Sequence, residues 1–280
     1  MTAPGYQQND EKEDEPEASL APLMTHVAEL RYRLMLACGM LLVTSIGAYV
    51  YAEQIYGFLV RPLADAMGPD GTNRLIYTDL TEAFFTYMKV ALWAGLFISF
   101  PVILAQIWLF VAPGLYKKER TVFFGFLVAT PLLFYMGGGV VYAVILPMAW
   151  RFFLSFQSDG SSTVLPIMLE ARVSDYLDLV MTLMFAFGMA FQLPVLMLLL
   201  ARAGMITADT LVKYRKWAII LAFVIAAPLT PPDIMSQTAL AIPLILLYEL
   251  SILLIRAMNN AGKIAGDVAS SDDNNTSSAS

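Results

Sequence analysis

The chain has 280 residues, 58% of them hydrophobic and only 14% charged, with a net charge of −6 and a mean hydropathy of +0.65. A soluble domain must clothe its surface in polar side chains, so this composition excludes one and points to lipid as the solvent. A lone cysteine, Cys38, excludes a disulfide within the chain, and a lone histidine, His26, excludes a His-rich metal site.

Residues 1–22 are acidic, reading DEKEDEPE from Asp10 to Glu17, and nearly free of apolar side chains, which predicts a disordered tail. This start is neither basic-then-apolar, as a cleaved secretory signal would be, nor Arg/Ser-rich, as a transit peptide would be; the first apolar run is expected to act as an uncleaved signal-anchor. A hydrocarbon core of about 30 Å takes roughly 20 helical residues to cross. Six apolar runs follow, predicting spans at Leu34–Ala52, Phe84–Val111, Val122–Met148, Tyr176–Ala201, Trp217–Leu229 and Ile234–Ile255. Stretches such as FLVATPLLFYMGGGVVYAVILP are apolar all round, whereas barrel strands would alternate. The expected fold is therefore an all-α integral membrane protein of six transmembrane helices, with the membrane domain at 23–258 and a polar, disordered tail at 259–280.

The connections are unequal. Glu53–Ala83 and Ala149–Asp175 are long and lie on one side, which predicts a structured cap of short helices there. Pro62, Pro69 and Gly71 punctuate the first; Asp159–Ser162 reads as a turn in the second, and Pro166 as a helix start. The fifth run offers only about eleven residues before Pro228, roughly half of the hydrocarbon thickness. Local thinning of the bilayer beside it is the expected response.

Twelve of the seventeen cations flank alternate ends of the runs: Lys12, Arg31 and Arg33; Lys117, Lys118 and Arg120; Arg202, Lys213, Arg215 and Lys216; Arg256 and Lys263. The positive-inside rule then puts both termini in the cytoplasm and the long loops outside. The acidic excess belongs largely to the tails, so nothing suggests a nucleic-acid partner.

No HExxH, GxSxG, CxxC or GxxxxGK[ST] spacing occurs. We therefore expect no catalytic residue, no metal, no cofactor and no enzyme. Glu29 lies on the polar side of the helix that enters the first span, four residues before Arg33, an ordinary i,i+4 ion pair worth about 0.2–0.5 kcal/mol. Glu119, within Lys117-Lys118-Glu119-Arg120, is read at the same membrane face. Two carboxylates on one face suit a cationic guest, and guanidinium matches a carboxylate with two parallel hydrogen bonds where ammonium cannot. Within the spans, Gln106 and Gln192 are expected to hydrogen-bond across helices, typically for about 0.6 kcal/mol. Lys89 is expected to snorkel or to pair with an outer acid such as Glu82, Glu249 to pair locally, and Gly137-Gly138-Gly139 to permit close helix approach.

HVAELRYRL, FPVILAQIWLFVAPGLYKKER and LTPPDIMSQTALAIPLILLYEL, in this order and spread over Met24 to Arg256, closely resemble the TatC family, the multispanning subunits of the twin-arginine protein translocase. The resemblance implies a receptor for the Arg-Arg signal peptides of folded cargo in the bacterial plasma (inner) membrane, assembling with TatB-like and TatA-like single-span subunits and with other copies of itself. It places the signal-peptide site on Glu29 and Glu119, with Phe110 as the neighbouring aromatic and Arg31 as the neighbouring cation. It matches Pro62 and Pro101 to prolines of the cap and second span, and Asp233 to the acid of an outer Thr-Pro-Pro-Asp turn. Gln192 stands where many members carry a mid-membrane Glu; an amide cannot titrate, which argues against a proton relay there. Spans five and six are expected to supply the partner contact. A small-solute secondary transporter is the second reading; it would need an ionisable midplane site and repeated halves, and neither is evident.

Overall fold

The computed structural model describes residues 15–68, 75–115, 120–158, 169–228 and 234–277, and among these every regular element is a helix. The helices are α1 (Glu15–Val50), α2 (Ala52–Met67), α3 (Glu82–Leu115), α4 (Arg120–Val140), α5 (Leu146–Leu154), α6 (Val173–Ala190), α7 (Leu193–Arg202), α8 (Ala208–Ala226) and α9 (Ile234–Ser277). A five-residue π-helical turn, Val141–Ile145, joins α4 to α5, so the third span runs on from Arg120 to Leu154. Pro147 explains the π turn. It has no N–H to give Ala143, and Leu146 instead bonds back five residues to Val141.

Five stretches are long and apolar enough to cross a bilayer: Val27–Val50, Glu82–Phe110, Gly125–Leu154, Val173–Arg202 and Gln237–Asn260. The fifth expected span does not stand alone in this sense. Its helix, α8, begins well inside the basic segment at Ala208, capped by the Thr207 hydroxyl accepting from the Thr210 N–H, and only its apolar part from Trp217 to Ala226 can face hydrocarbon. At its other end Pro228 follows the last turn. The terminal helices overrun the expected borders, α1 starting at Glu15 and α9 continuing to Ser277.

The helices approach closely where side chains are smallest. A Cβ on Gly95 of α3 would lie 2.6 Å from the Ser45 backbone of α1, and the Thr44 hydroxyl donates to the Gly95 carbonyl at 2.9 Å. A Cβ on Gly137 of α4 would lie 2.7 Å from the Phe187 carbonyl oxygen of α6. This is how helices associate in lipid, where hydrophobicity supplies no net drive and backbone proximity must. Between these contacts, Phe97, Phe100, Phe134 and Phe185 pack together, with Phe100 and Phe134 stacked at 3.8 Å.

The main buried cluster gathers Leu63 of α2, Val141 and Ile145 of the π turn, Leu146 and Trp150 of α5, Leu177 and Val180 of α6, and Ala241 of α9. It lies beneath α2, so the cap is fastened to the span ends rather than resting on them. Two features of the connections fasten it further. Ile76 pairs with Arg172 in a short parallel bridge, through Ile76 N–H to the Ala171 carbonyl and Val173 N–H to the Ile76 carbonyl. Beside it the Glu82 carboxylate, only 8% exposed, accepts from the Thr78 N–H at 2.8 Å, the Ser174 hydroxyl at 2.8 Å, the Ser174 N–H and Arg172. Among the described residues, the expected cap of short helices is one helix, α2, plus a knot centred on Glu82. The turn at Asp159–Ser162 and the helix start at Pro166 fall outside the described residues.

Candidate functional site

Midway along α1, Arg33 reaches back one turn and donates through Nε and Nη2 to a single oxygen of Glu29, Oε1, the Nε bond measuring 3.0 Å. Oε2 of Glu29 has no partner among the described residues. The third arm of the guanidinium, Nη1, approaches Oε1 of Gln106 on α3 at 3.4 Å. The i,i+4 pair read from sequence is therefore present and doubles as a link between α1 and α3. Arg33 is the more enclosed partner, with 20% of its side chain exposed against 37% for Glu29. Glu29 thus keeps one carboxylate oxygen open among the described residues while Arg33 holds its rotamer.

Arg31 is exposed on the same helix and is not part of this pair. Phe110 is half-buried and stands four residues beyond Gln106 on α3, so both share the face that Arg33 touches. Glu119 lies outside the described residues, in the segment between the end of α3 at Leu115 and the start of α4 at Arg120. Asp233 also lies outside them, just before α9.

The remaining site residues fall elsewhere. Pro101 is half-buried within α3. Pro62 is buried within α2, where it removes the donor that would have served the Phe58 carbonyl. The Tyr142 hydroxyl supplies that bond instead, at 2.8 Å, and its ring stacks on Phe58 at 4.3 Å. Gln192 occupies the break between α6 and α7, where Pro194 interrupts the helix, and its amide donates to the Thr130 carbonyl of α4 at 3.0 Å. A carboxylate could not donate there. At this position Gln192 bonds helix to helix, in line with the packing role expected of it.

Several pairings differ from expectation. Lys89 pairs with Asp178 of α6 at 2.8 Å, not with Glu82, whose carboxylate is occupied by the cap knot. The nearby Glu82 hydrogen bond and charge raise the Arg172 pKa above its ordinary value, so the cation stays protonated throughout any accessible range. Glu249 pairs across helices with Arg215 of α8 at 2.6 Å, next to a bond from the Tyr248 hydroxyl to the Leu211 carbonyl, and together they tie α8 to α9 near the basic end. Gln237, not singled out in the sequence, donates to the Phe223 carbonyl where α8 terminates. Its only sequence signal was an amide in an apolar run. No cluster of His, Cys, Asp and Glu capable of holding a metal occurs among the described residues.

Comparison with known proteins agrees with this architecture. The family described as Sec-independent protein translocase protein (TatC) matches residues 25–243. The Sec-independent protein translocase protein TatC of Magnetococcus marinus is 50% identical over 232 residues, covering 83% of each chain. That of Rickettsia prowazekii is 43% identical over 229 residues, covering 82% of this chain and 90% of its own. A crystal structure titled as the twin arginine translocase receptor TatC in DDM superposes with a TM-score of 0.72 at 36% identity, over 82% of this chain and 99% of that one. An all-helical fold with five candidate membrane spans, superposition on a solved relative, and a family match over residues 25–243 lead to one assignment: this chain belongs to the TatC family, a multi-pass membrane subunit of the twin-arginine protein translocase and not an enzyme.

Proposed function

We propose that this subunit is the receptor of the translocase, binding the paired arginines of signal peptides on folded cargo at its cytoplasmic face and nucleating assembly with TatB-like and TatA-like single-span subunits. On this reading both termini are cytoplasmic, the membrane is the bacterial plasma membrane, and Glu29 and Glu119 receive the guanidinium groups with Phe110 and Arg31 beside them. The observation that carries it is the state of Glu29: a carboxylate already matched to a guanidinium, with its second oxygen turned free. Arg33 holds the place a guest arginine would take. Because an i,i+4 pair on a helix is worth only about 0.3–0.5 kcal/mol, displacing this half-buried pair weakens a guest by about twofold.

A charge-assisted hydrogen bond from the guest contributes about 1.5–3 kcal/mol, so losing either carboxylate should weaken binding by roughly 10- to 100-fold. The test is binding of a labelled Arg-Arg peptide and its Lys-Lys counterpart to the subunit in nanodiscs. Glu29→Ala and Glu119→Ala should each cost the Arg-Arg peptide more than the Lys-Lys peptide, and Arg33→Gln should leave binding equal or up to about twofold tighter. Equal losses for both peptides would reduce the site to nonspecific electrostatics and defeat the reading.

A further inference from the structure

We propose a binding site for the phosphate headgroup of an anionic phospholipid in the cleft between α2 and α5, with Arg61 and Arg151 as its cationic jaws. The cleft measures about 430 Å³ and is lined by Phe58, Arg61, Pro62 and Asp65 of α2 and by Tyr142, Pro147 and Arg151 of the third span. The topology that places this cap outside allows few cations there, and their distribution is uneven. Lys89 is neutralised by Asp178 and Arg172 by Glu82. Arg61 and Arg151, from segments ninety residues apart in sequence, share one cleft, and neither has an ion-pair partner among the described residues.

The cleft is built by two helix defects. Pro62 leaves the Phe58 carbonyl to Tyr142, and Pro147 forces the π turn that carries Tyr142 and Ala143. Together they border the cleft that the two guanidinium groups share. The level of this cleft matches the membrane interface: Arg151 stands near the end of an apolar rod that closes at Leu154, with Phe152 and Phe153 half-buried and Phe156 exposed beside it, aromatics of the kind that sit at the membrane boundary. On the far side of Phe58 lies a slot of about 190 Å³ lined only by apolar residues, among them Trp93, Phe97, Met181 and Met184. An amphipath with a phosphate at one end and an acyl chain at the other meets both surfaces around a single ring.

Charge selects the headgroup. Two arginines and Asp65 leave the cleft with one net positive charge, which a single phosphodiester balances. Asp65 can accept from the hydroxyls of a glycerol headgroup. A choline headgroup would leave the cleft's charge uncompensated and give Asp65 no donor.

The full-length protein, released from nanodiscs of equal phosphatidylglycerol and phosphatidylcholine, is examined by native mass spectrometry for retained lipid. Phosphatidylglycerol should be retained in preference, and R61Q and R151Q should each lower its retention by about fivefold, as expected for removing one cation at a lipid surface. K213Q, which removes a charge at the opposite face, should not. Inorganic phosphate at about 50 mM should fail to displace the lipid, since the acyl chain contributes to binding. Equal retention of both lipids, an unchanged R61Q or R151Q, an equal loss in K213Q, or displacement by phosphate alone would each overturn the proposal. Retention of phosphatidylethanolamine equal to phosphatidylglycerol in a second pair of nanodiscs would overturn the anionic selectivity.

Discussion

Gly137, Gly138 and Gly139 are consecutive on one apolar helix, yet alanine at each should act differently, because each faces a different surface. At Gly137 the new methyl would lie 2.7 Å from the Phe187 carbonyl oxygen, 2.9 Å from its carbon and 3.0 Å from the Gly188 Cα. All three are backbone atoms of α6 and none can rotate away. Restoring ordinary contact requires α4 and α6 to part by roughly 0.7 Å, and overpacking of this kind costs about 1–3 kcal/mol, offset by up to about 1 kcal/mol from replacing a helical glycine. Separation would also loosen the edge contact between Phe134 of α4 and Phe185 of α6. At Gly138 the methyl meets the edge of the Phe97 ring at 2.6 Å, a side chain able to swing within its aromatic cluster, so the net effect should be near zero. At Gly139 nothing lies within 4 Å and the residue is exposed, so Gly139→Ala should stabilise by up to about 1 kcal/mol. Unfolding free energies from SDS titration in mixed micelles should rank Gly139→Ala above Gly138→Ala above Gly137→Ala, with opposite signs at the ends. Gly137→Ala and Gly139→Ala shifting stability equally would refute the close crossing of α4 and α6.

Three other outcomes follow from the same contacts. Tyr142→Phe should cost about 1 kcal/mol by stripping the Phe58 carbonyl of its donor, and Pro62→Ala should remove most of that cost by restoring an N–H within α2; a double-mutant cycle without coupling would deny that Tyr142 serves the proline gap. Glu82→Ala should unfasten the cap locally, accelerating hydrogen exchange at the Ile76 and Val173 amides while leaving amides in the middle of α6 protected; unchanged exchange at Ile76 and Val173 would show that the bridge holds without the carboxylate. Lipid-resolved maps should show the bilayer thinned on the cap side of α8, where its apolar part from Trp217 to Ala226 covers only about 15 Å; full thickness along that edge would mean that neighbouring subunits, not lipid, surround it.

Hydropathy made the long helices legible, since a span must be apolar along its whole length whatever it packs against. It made α8 legible as a short helix for the same reason: Lys213, Arg215 and Lys216 precede its apolar part and Pro228 closes it. What sequence could not rank were partners of equal chemistry. Lys89 had acids available at both long loops, and the choice of Asp178 over Glu82 depends on Glu82 being drawn to Thr78 on one side and Ser174 on the other. Glu29 and Arg33 were legible because helical spacing alone brings them together; Gln106, seventy-three residues on, was legible only as an amide awaiting a partner.

The prolines mark the boundary between the two kinds of knowledge. A proline within a helix strips the carbonyl four residues back of its donor, here Phe58 for Pro62 and Ala143 for Pro147, but sequence alone marked Pro62 only as punctuation in a long loop. It could not say that one residue, Tyr142, would stand on the turn widened by the second proline and satisfy the carbonyl exposed by the first. Each defect alone would leave a backbone carbonyl without its helical donor. Placed opposite one another they satisfy the Phe58 carbonyl and border the cleft between α2 and α5, and a cleft lined by two guanidinium groups that have no ion-pair partner among the described residues is where the proposed lipid headgroup would sit.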